Sequence, residues 1–271
     1  MRIVFAAAGA LALVQLAAPL VVDAQSPDQA TLMRRVGLYA NWFVNQFSNV
    51  VSEERYEQGF SVDRRKRLLT SDFMLVGYPG SKEAVLTFRD IREVDGKPIG
   101  DQTDRITRLF LQPFDSAVRR AQEIHREGLR LSIENGRLMD PLTVLGYLQT
   151  AYQKNFRVTR GGHDRKLGDD VREINLTPGR NQTVWKPARA WVSEATGAVV
   201  KTELREGFGG NAQITTTTFG IDPGLAIPVP IEMRDEVPRR RDEFIGTARY
   251  SNFRRFEVRT EAVIDVPPPT P

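Results

Sequence analysis

The chain has 271 residues, with 38 Lys and Arg against 34 Asp and Glu, a formal net charge of +4 and no cysteine. With 41% hydrophobic and 27% charged residues, it is neither disordered nor collagen-like, and the lack of thiols excludes a disulfide scaffold, a thiol nucleophile and a lipid-modified N-terminal Cys. The basic excess is arginine, 31 against seven Lys, interleaved with acidic residues; no nucleic-acid motif is present and no nucleic-acid partner is expected.

Residues 1–24 read as a signal peptide. Arg2 supplies the positive start, residues 3–22 carry no charge, and Val22-Asp23-Ala24 put small residues at −3 and −1 before Gln25. Residues 25–265 are expected to form one domain, exported to a bacterial periplasm. The Pro-rich tail 266–271 is expected to be disordered.

The next segment, 27–51, is predicted to be a helix. Ser26 is its expected N-cap and Pro27 its first residue. Leu32, Val36, Tyr39, Phe43, Phe47 and Val50 recur at spacings of three and four, so Phe43 and Phe47 should be buried. A strand meander follows. Leu69, Phe73 and Leu75 share a face, Tyr78-Pro79-Gly80-Ser81 makes a turn, Leu86 and Phe88 alternate with polar residues, and Asp95-Gly96 signals a hairpin.

Residues 103–152 read as a helical block. Ile106, Leu109 and Phe110 mark a short helix, residues 115–133 a second, and Asp140-Pro141 opens a third through Leu142, Leu145, Leu148 and Tyr152. From residue 155 onward only strands are predicted, near 156–158, 173–176, 189–192, 199–206, 214–219, 228–233, 244–250 and 256–263. Pro228 and Pro230 cannot donate to a ladder, so they should sit at an edge or where a strand begins. This order is α+β, and so long a meander should curve strongly.

Little chemistry is signalled. His125 and His163 match no metal spacing and read as two exposed side chains, and no Gly-x-Ser-x-Gly nucleophile turn exists. Glu53-Glu54 and Asp169-Asp170 are adjacent, so on a strand they would point to opposite faces. Gly207-Phe208-Gly209-Gly210 lacks the helix that a phosphate cradle needs. The clusters Arg64-Arg65-Lys66-Arg67 and Arg239-Arg240-Arg241 read as solvated strand edges. No metal and no cofactor are expected.

The stretch Ala190-Trp191-Val192-Ser193-Glu194-Ala195-Thr196-Gly197-Ala198-Val199-Val200-Lys201-Thr202-Glu203-Leu204, with its Glu-x-x-Gly turn, resembles the outer-membrane lipoprotein-sorting (periplasmic lipoprotein-carrier) superfamily. Gln213-Ile214-Thr215 through Phe219 and Leu225-Ala226-Ile227-Pro228-Val229-Pro230-Ile231-Glu232-Met233 look like that family's following strands. The match covers residues 155–260, and the N-terminal half by layout. With its Tyr250-Ser251-Asn252-Phe253-Arg254-Arg255-Phe256 ending, the whole chain also resembles uncharacterised secreted bacterial proteins. The resemblance implies an unclosed half-barrel with helices covering its concave face and an acyl-chain pocket between them. The block 103–152 is longer than a minimal carrier needs.

The expected function is therefore non-enzymatic binding of a lipid or acylated ligand, such as a lipoprotein, with transient contact to membrane-bound envelope proteins. Phe73, Leu75, Phe88, Leu204, Ile214, Ile231 and Met233 are the expected ligand contacts, with Ile231 and Met233 on one face. Two alternatives stand beside it: an envelope interaction or sensor module with a filled core, and a hydrolase using a carboxylate pair from distant segments. The exported form should begin at Gln25 by mass spectrometry, and a start at Met1 in the membrane fraction would make the chain an anchored protein.

Overall fold

The computed structural model describes residues 27–77, 85–100, 105, 114–134, 138–180, 183–207 and 212–255. The signal peptide, the 78–81 turn, the short helix at 106–110, residues 208–210 of the glycine-rich loop, the 256–263 strand and the tail lie outside them. Helix α1 (Gln29–Phe47) is followed by β1 (Val50–Phe60), β2 (Lys66–Gly77), β3 (Val85–Val94) and β4 (Lys97–Pro98). Helices α2 (Phe114–Leu131) and α3 (Thr143–Leu148) come next. The rest is strand: β5 (Phe156–His163), β6 (Val171–Pro178), β7 (Ala188–Ser193), β8 (Val199–Glu206), β9 (Gln213–Asp222), β10 (Ile227–Pro238) and β11 (Glu243–Arg255).

These form one 11-stranded antiparallel sheet in the order β4-β3-β2-β1-β11-β10-β9-β8-β7-β6-β5, with β4 and β5 at its open ends. Neighbours in sequence pair as hairpins, and the two meanders join where β1 pairs with β11. The Asp-Gly signal holds. Asp95 and Gly96 both have positive φ, 53° and 75°, and connect Val94 to Lys97, as a two-residue hairpin turn with right-handed twist requires. The prolines of β10 also sit as their chemistry dictates. Pro228 and Pro230 lie opposite Ile221 and Phe219 of β9, whereas β10 begins to pair with β11 only at Glu232.

α1 is capped two residues later than its Ser-Pro signal suggests, because the Asp28 carboxylate accepts from Thr31 N at 2.7 Å. Its apolar stripe packs on the sheet. Phe43 and Phe47 are buried and stacked at 5.4 Å, and Phe43 meets Phe219 of β9 edge-on at 5.8 Å. The helix stops at Phe47, and Asn49, with φ of 66°, turns the chain directly into β1.

β1 escaped the sequence reading because its inward positions are polar. Ser52, Glu54, Tyr56 and Gln58 are all buried, while Arg55 and Glu57 between them are exposed. The strand alternates in burial without alternating in hydrophobicity. Close packing at the hydroxyl of Tyr56 is allowed by Gly246 on β11, where a Cβ would lie 2.4 Å from it.

The Glu-x-x-Gly turn has a physical role. Gly197, with φ of 77°, abuts the α1 backbone so closely that a Cβ would fall 2.4 Å from the Arg35 carbonyl carbon. Glu194 is nearly buried and clamped. Arg160 donates to it at 2.6 Å, His163 lies at 2.9 Å, and Arg172 also donates to its carboxylate. Arg35 of α1 donates to its backbone carbonyl at 2.5 Å. The turn thus fastens α1 to the β5–β6 and β7–β8 hairpins.

Burial alone would raise the Glu194 pKa, but the hydrogen bonds from His163, Arg172 and Arg160 outweigh it and hold the carboxyl at about 2 instead of 4.5. A depressed folded-state pKa stabilises above the unfolded value and loses that stability as pH falls through the folded one. Glu194→Gln should therefore lower stability at pH 7 by ~2–3 kcal/mol. The gap to wild type should close between about pH 4.5 and 2. Urea midpoints across that range test this, and a pH-independent gap would refute the clamp.

Candidate functional site

The inner face of β1–β3 grips the segment that runs from α2 to α3. Arg67 Nη1 donates to Leu131 O at 2.6 Å, at the C-terminal end of α2 where a cation is favoured. Gln58 donates to Ser132 Oγ at 3.0 Å and accepts from Ile133 N at 3.0 Å. Arg239 pairs with Glu134. Arg67 and Arg239 thus belong to this attachment, while Arg64, Arg65, Lys66, Arg240 and Arg241 are exposed, as the reading of both clusters as solvated edges expects.

Arg89 completes the attachment. Its side chain is buried, with Nε 2.5 Å from Glu54 Oε2 and Nη2 donating to Met139 O at 2.5 Å. Ser71 Oγ donates to the same Glu54 oxygen at 2.8 Å, and the guanidinium lies 5.2 Å over the Phe73 ring. Burial alone would lower the pKa of Arg89, but Glu54 beside it keeps the guanidinium charged. Burial, and then the charge of Glu54, pushes the neighbouring Tyr250 phenol well above its ordinary value, so it stays protonated.

Two grooves flank this attachment. One, of about 220 Å³, lies between α1, α3 and the β2–β3 hairpin, walled by Val44, Leu75, Leu142, Tyr147 and Trp185. Its aromatic wall is part of a ring cluster: Trp185 lies 5.1 Å from Tyr147 and 5.5 Å from both Tyr152 and Phe156. The other, of about 470 Å³, lies between α2 and β3. Phe88, Ala121 and Leu138 form its apolar wall, with Gln122, His125 and Arg126 beside them. Burial, and then Arg89, lowers the pKa of His125, so its imidazole is neutral at pH 7. The sequence reading of His125 as exposed is corrected: α2 turns it half-buried against this groove.

Of the sequence-predicted contacts, Leu75 lines the first groove and Phe88 the second. Phe73, Leu204 and Met233 are buried in the core, Met233 with its sulfur 4.0 Å from the Tyr250 hydroxyl. Ile214 is half-buried on β9. Ile231 and Met233 do not share a face. β10 shifts register between Pro230 and Glu232, so Ile231 is 43% exposed over Gly220 while Met233 is fully buried. Sequence reasoning missed Trp185, Thr87 and Asp140, which come from loops and from the strand meeting the α2–α3 segment.

Two carboxylates on the inner sheet face, Glu54 and Asp235, come from distant strands. Glu54 is held by Arg89 and Ser71. Asp235 accepts from Gln213 at 2.7 Å and Thr215 at 3.1 Å. Both are shut away from solvent, so in this arrangement neither can reach a substrate. Among the described residues, no group of three or more His, Asp or Glu is gathered as metal ligands.

No family model matches the chain, and no curated protein matches it. Among solved structures it is similar to a LolA superfamily protein from Nitrosomonas europaea, at 12% identity over 84% of this chain and 94% of that one, with a TM-score of 0.45. It is also similar to a DUF1329 family protein from Desulfovibrio piger, at 12% identity over 88% and 96%, TM-score 0.44. A third similar structure is an outer membrane lipoprotein-sorting protein domain from Vibrio parahaemolyticus, at 11% identity over 82% and 95%, TM-score 0.41. Among the described residues, no helix is long and apolar enough to cross a membrane.

The buried pair yields a stability prediction. Glu54→Gln should cost about 3–5 kcal/mol, because it strands the Arg89 charge. Glu54→Leu with Arg89→Met should cost less than either single change, since the pair leaves together. A chemical-denaturation cycle in which the double change is additive would refute this coupling.

Proposed function

We propose that this protein binds the acyl part of a lipid or acylated ligand in the bacterial periplasm, without covalent chemistry. The observation that carries this reading is the pair of apolar-walled grooves between the sheet and its helices. The larger falls within the ~300–1,000 Å³ of typical ligand pockets. Each methylene buried there would contribute roughly 0.8 kcal/mol. Leu75 and Phe88 are the proposed contacts from the sheet. The locked state of Glu54 and Asp235 weighs against the hydrolase alternative.

A curved sheet with α1 on its concave side is part of the same proposal. The ends of α1 touch distant strands: Gln29 donates to Val158 O of β5 at 2.9 Å, and Asn49, just past the helix, donates to Leu75 O of β2 at 3.1 Å. Eight strand spacings separate β5 from β2, roughly 38 Å along a flat sheet. The 19-residue helix is about 28 Å long. Contacts from the two ends of one helix to strands this far apart in the sheet support a sheet that bends around the helix.

Trp185 supplies the test. In a protein with Trp42→Phe and Trp191→Phe, Trp185 is the sole tryptophan. Brominated fatty acids should quench its fluorescence saturably, and unbrominated ones should reverse the quenching. Absence of saturable quenching would overturn the proposal and leave an interaction module with a filled core.

A further inference from the structure

Thr87 of β3 and Asp140 of the α2–α3 segment line both grooves. Thr87 Oγ1 donates to Asp140 Oδ2 at 2.5 Å, so one hydrogen bond stands between the two apolar spaces. The other carboxylate oxygen accepts from Leu142 N at 2.8 Å, where the chain turns into α3. The preceding carbonyl, Met139 O, is held by Arg89, itself fixed by Glu54. The partition is thus braced from the sheet, from the adjoining loop and from across the groove.

We propose that the Thr87–Asp140 contact sets the length of acyl chain that the protein accepts. This rests on the acyl-binding reading above. A methylene chain can neither donate nor accept a hydrogen bond. To pass from one groove to the other it would have to break the contact and leave a partly buried carboxylate without its hydroxyl partner, a costly exchange. A chain therefore fills one groove and stops at the partition. The grooves hold about 220 and 470 Å³, so neither alone offers the length that the two would give if joined. Removing the Thr87 hydroxyl joins them and lets a longer chain thread past Asp140.

The test measures binding of a ladder of saturated fatty acids, from eight to about eighteen carbons, to the full mature chain by displacement of a fluorescent apolar probe. Wild-type affinity should rise with length and then level off. Thr87→Ala should extend the rise, increasing the affinity ratio of a sixteen-carbon over a ten-carbon acid by at least about tenfold, since each further buried methylene adds severalfold. Thr87→Ser keeps the hydroxyl and should keep the wild-type plateau. Thr87→Val keeps the bulk, loses the bond and should shift the plateau in the same direction as Thr87→Ala. It decides the question if the alanine variant does not fold. Wild-type length ratios in folded Thr87→Ala or Thr87→Val would overturn the partition and leave acyl binding standing. Failure of the wild type to bind any acid in the ladder would overturn the acyl-binding reading, and the partition with it.

Discussion

The buried pairing of Arg89 with Glu54 organises the face of the sheet on which the grooves lie. Two charges removed from water are costly, and here the cost is offset by direct contact, by Ser71 on the carboxylate, and by the carbonyl of Met139 and the ring of Phe73 around the guanidinium. Because one Arg89 nitrogen is committed to Met139, the interaction that neutralises Glu54 also fastens the segment between α2 and α3 to the sheet. Both grooves follow from that placement. One opens toward α3 and Trp185, the other toward α2 and His125.

Arginine does much of this structural work. Arg67, Arg89 and Arg239 reach over the sheet to the α2–α3 segment, and Arg160 and Arg172 clamp Glu194. Others pair with carboxylates on other strands, such as Arg189 with Glu203 at 2.5 Å, Arg249 with Glu232 at 3.1 Å and Arg254 with Asp72 at 3.1 Å. Among the described residues, much of the basic excess is spent on such pairs. The planar guanidinium, with several donors, suits sites where one side chain must hold a carboxylate and a carbonyl at once.

The residues that carried the family resemblance proved to be anchoring points. Gly197 is required by the close approach of α1, and Glu194 by three cationic or donor side chains from the neighbouring hairpin. The chemistry of this turn is satisfied inside the fold, where it holds α1 against two hairpins. The groove walls come from Trp185, Leu142, Ala121 and Leu138, outside that turn and its following strands.

The sequence alone determined the elements whose local chemistry and burial agree. The stripe of α1, the Asp-Gly hairpin, the run of strands among the described residues from 156 to 255 and the one-sided pairing of Pro228 and Pro230 were legible because each depends on short-range periodicity or on a residue's own backbone. Once β1 is known to be a strand, alternation places adjacent Glu53 and Glu54 on opposite faces: Glu53 pairs with Arg92 on one side while Glu54 is buried on the other. Only the tertiary structure decided the rest. β1 was illegible because Ser52, Glu54, Tyr56 and Gln58 become interior residues only when partners from β2, β3 and the α2–α3 segment satisfy them, and those partners are far away in sequence. Ile231 and Met233 parted because a register shift against β9 cannot be read from β10. The grooves, and the Thr87–Asp140 contact between them, exist only where a loop crosses a strand some fifty residues distant. Polar burial is a property of pairs, and a sequence read one segment at a time shows only single residues.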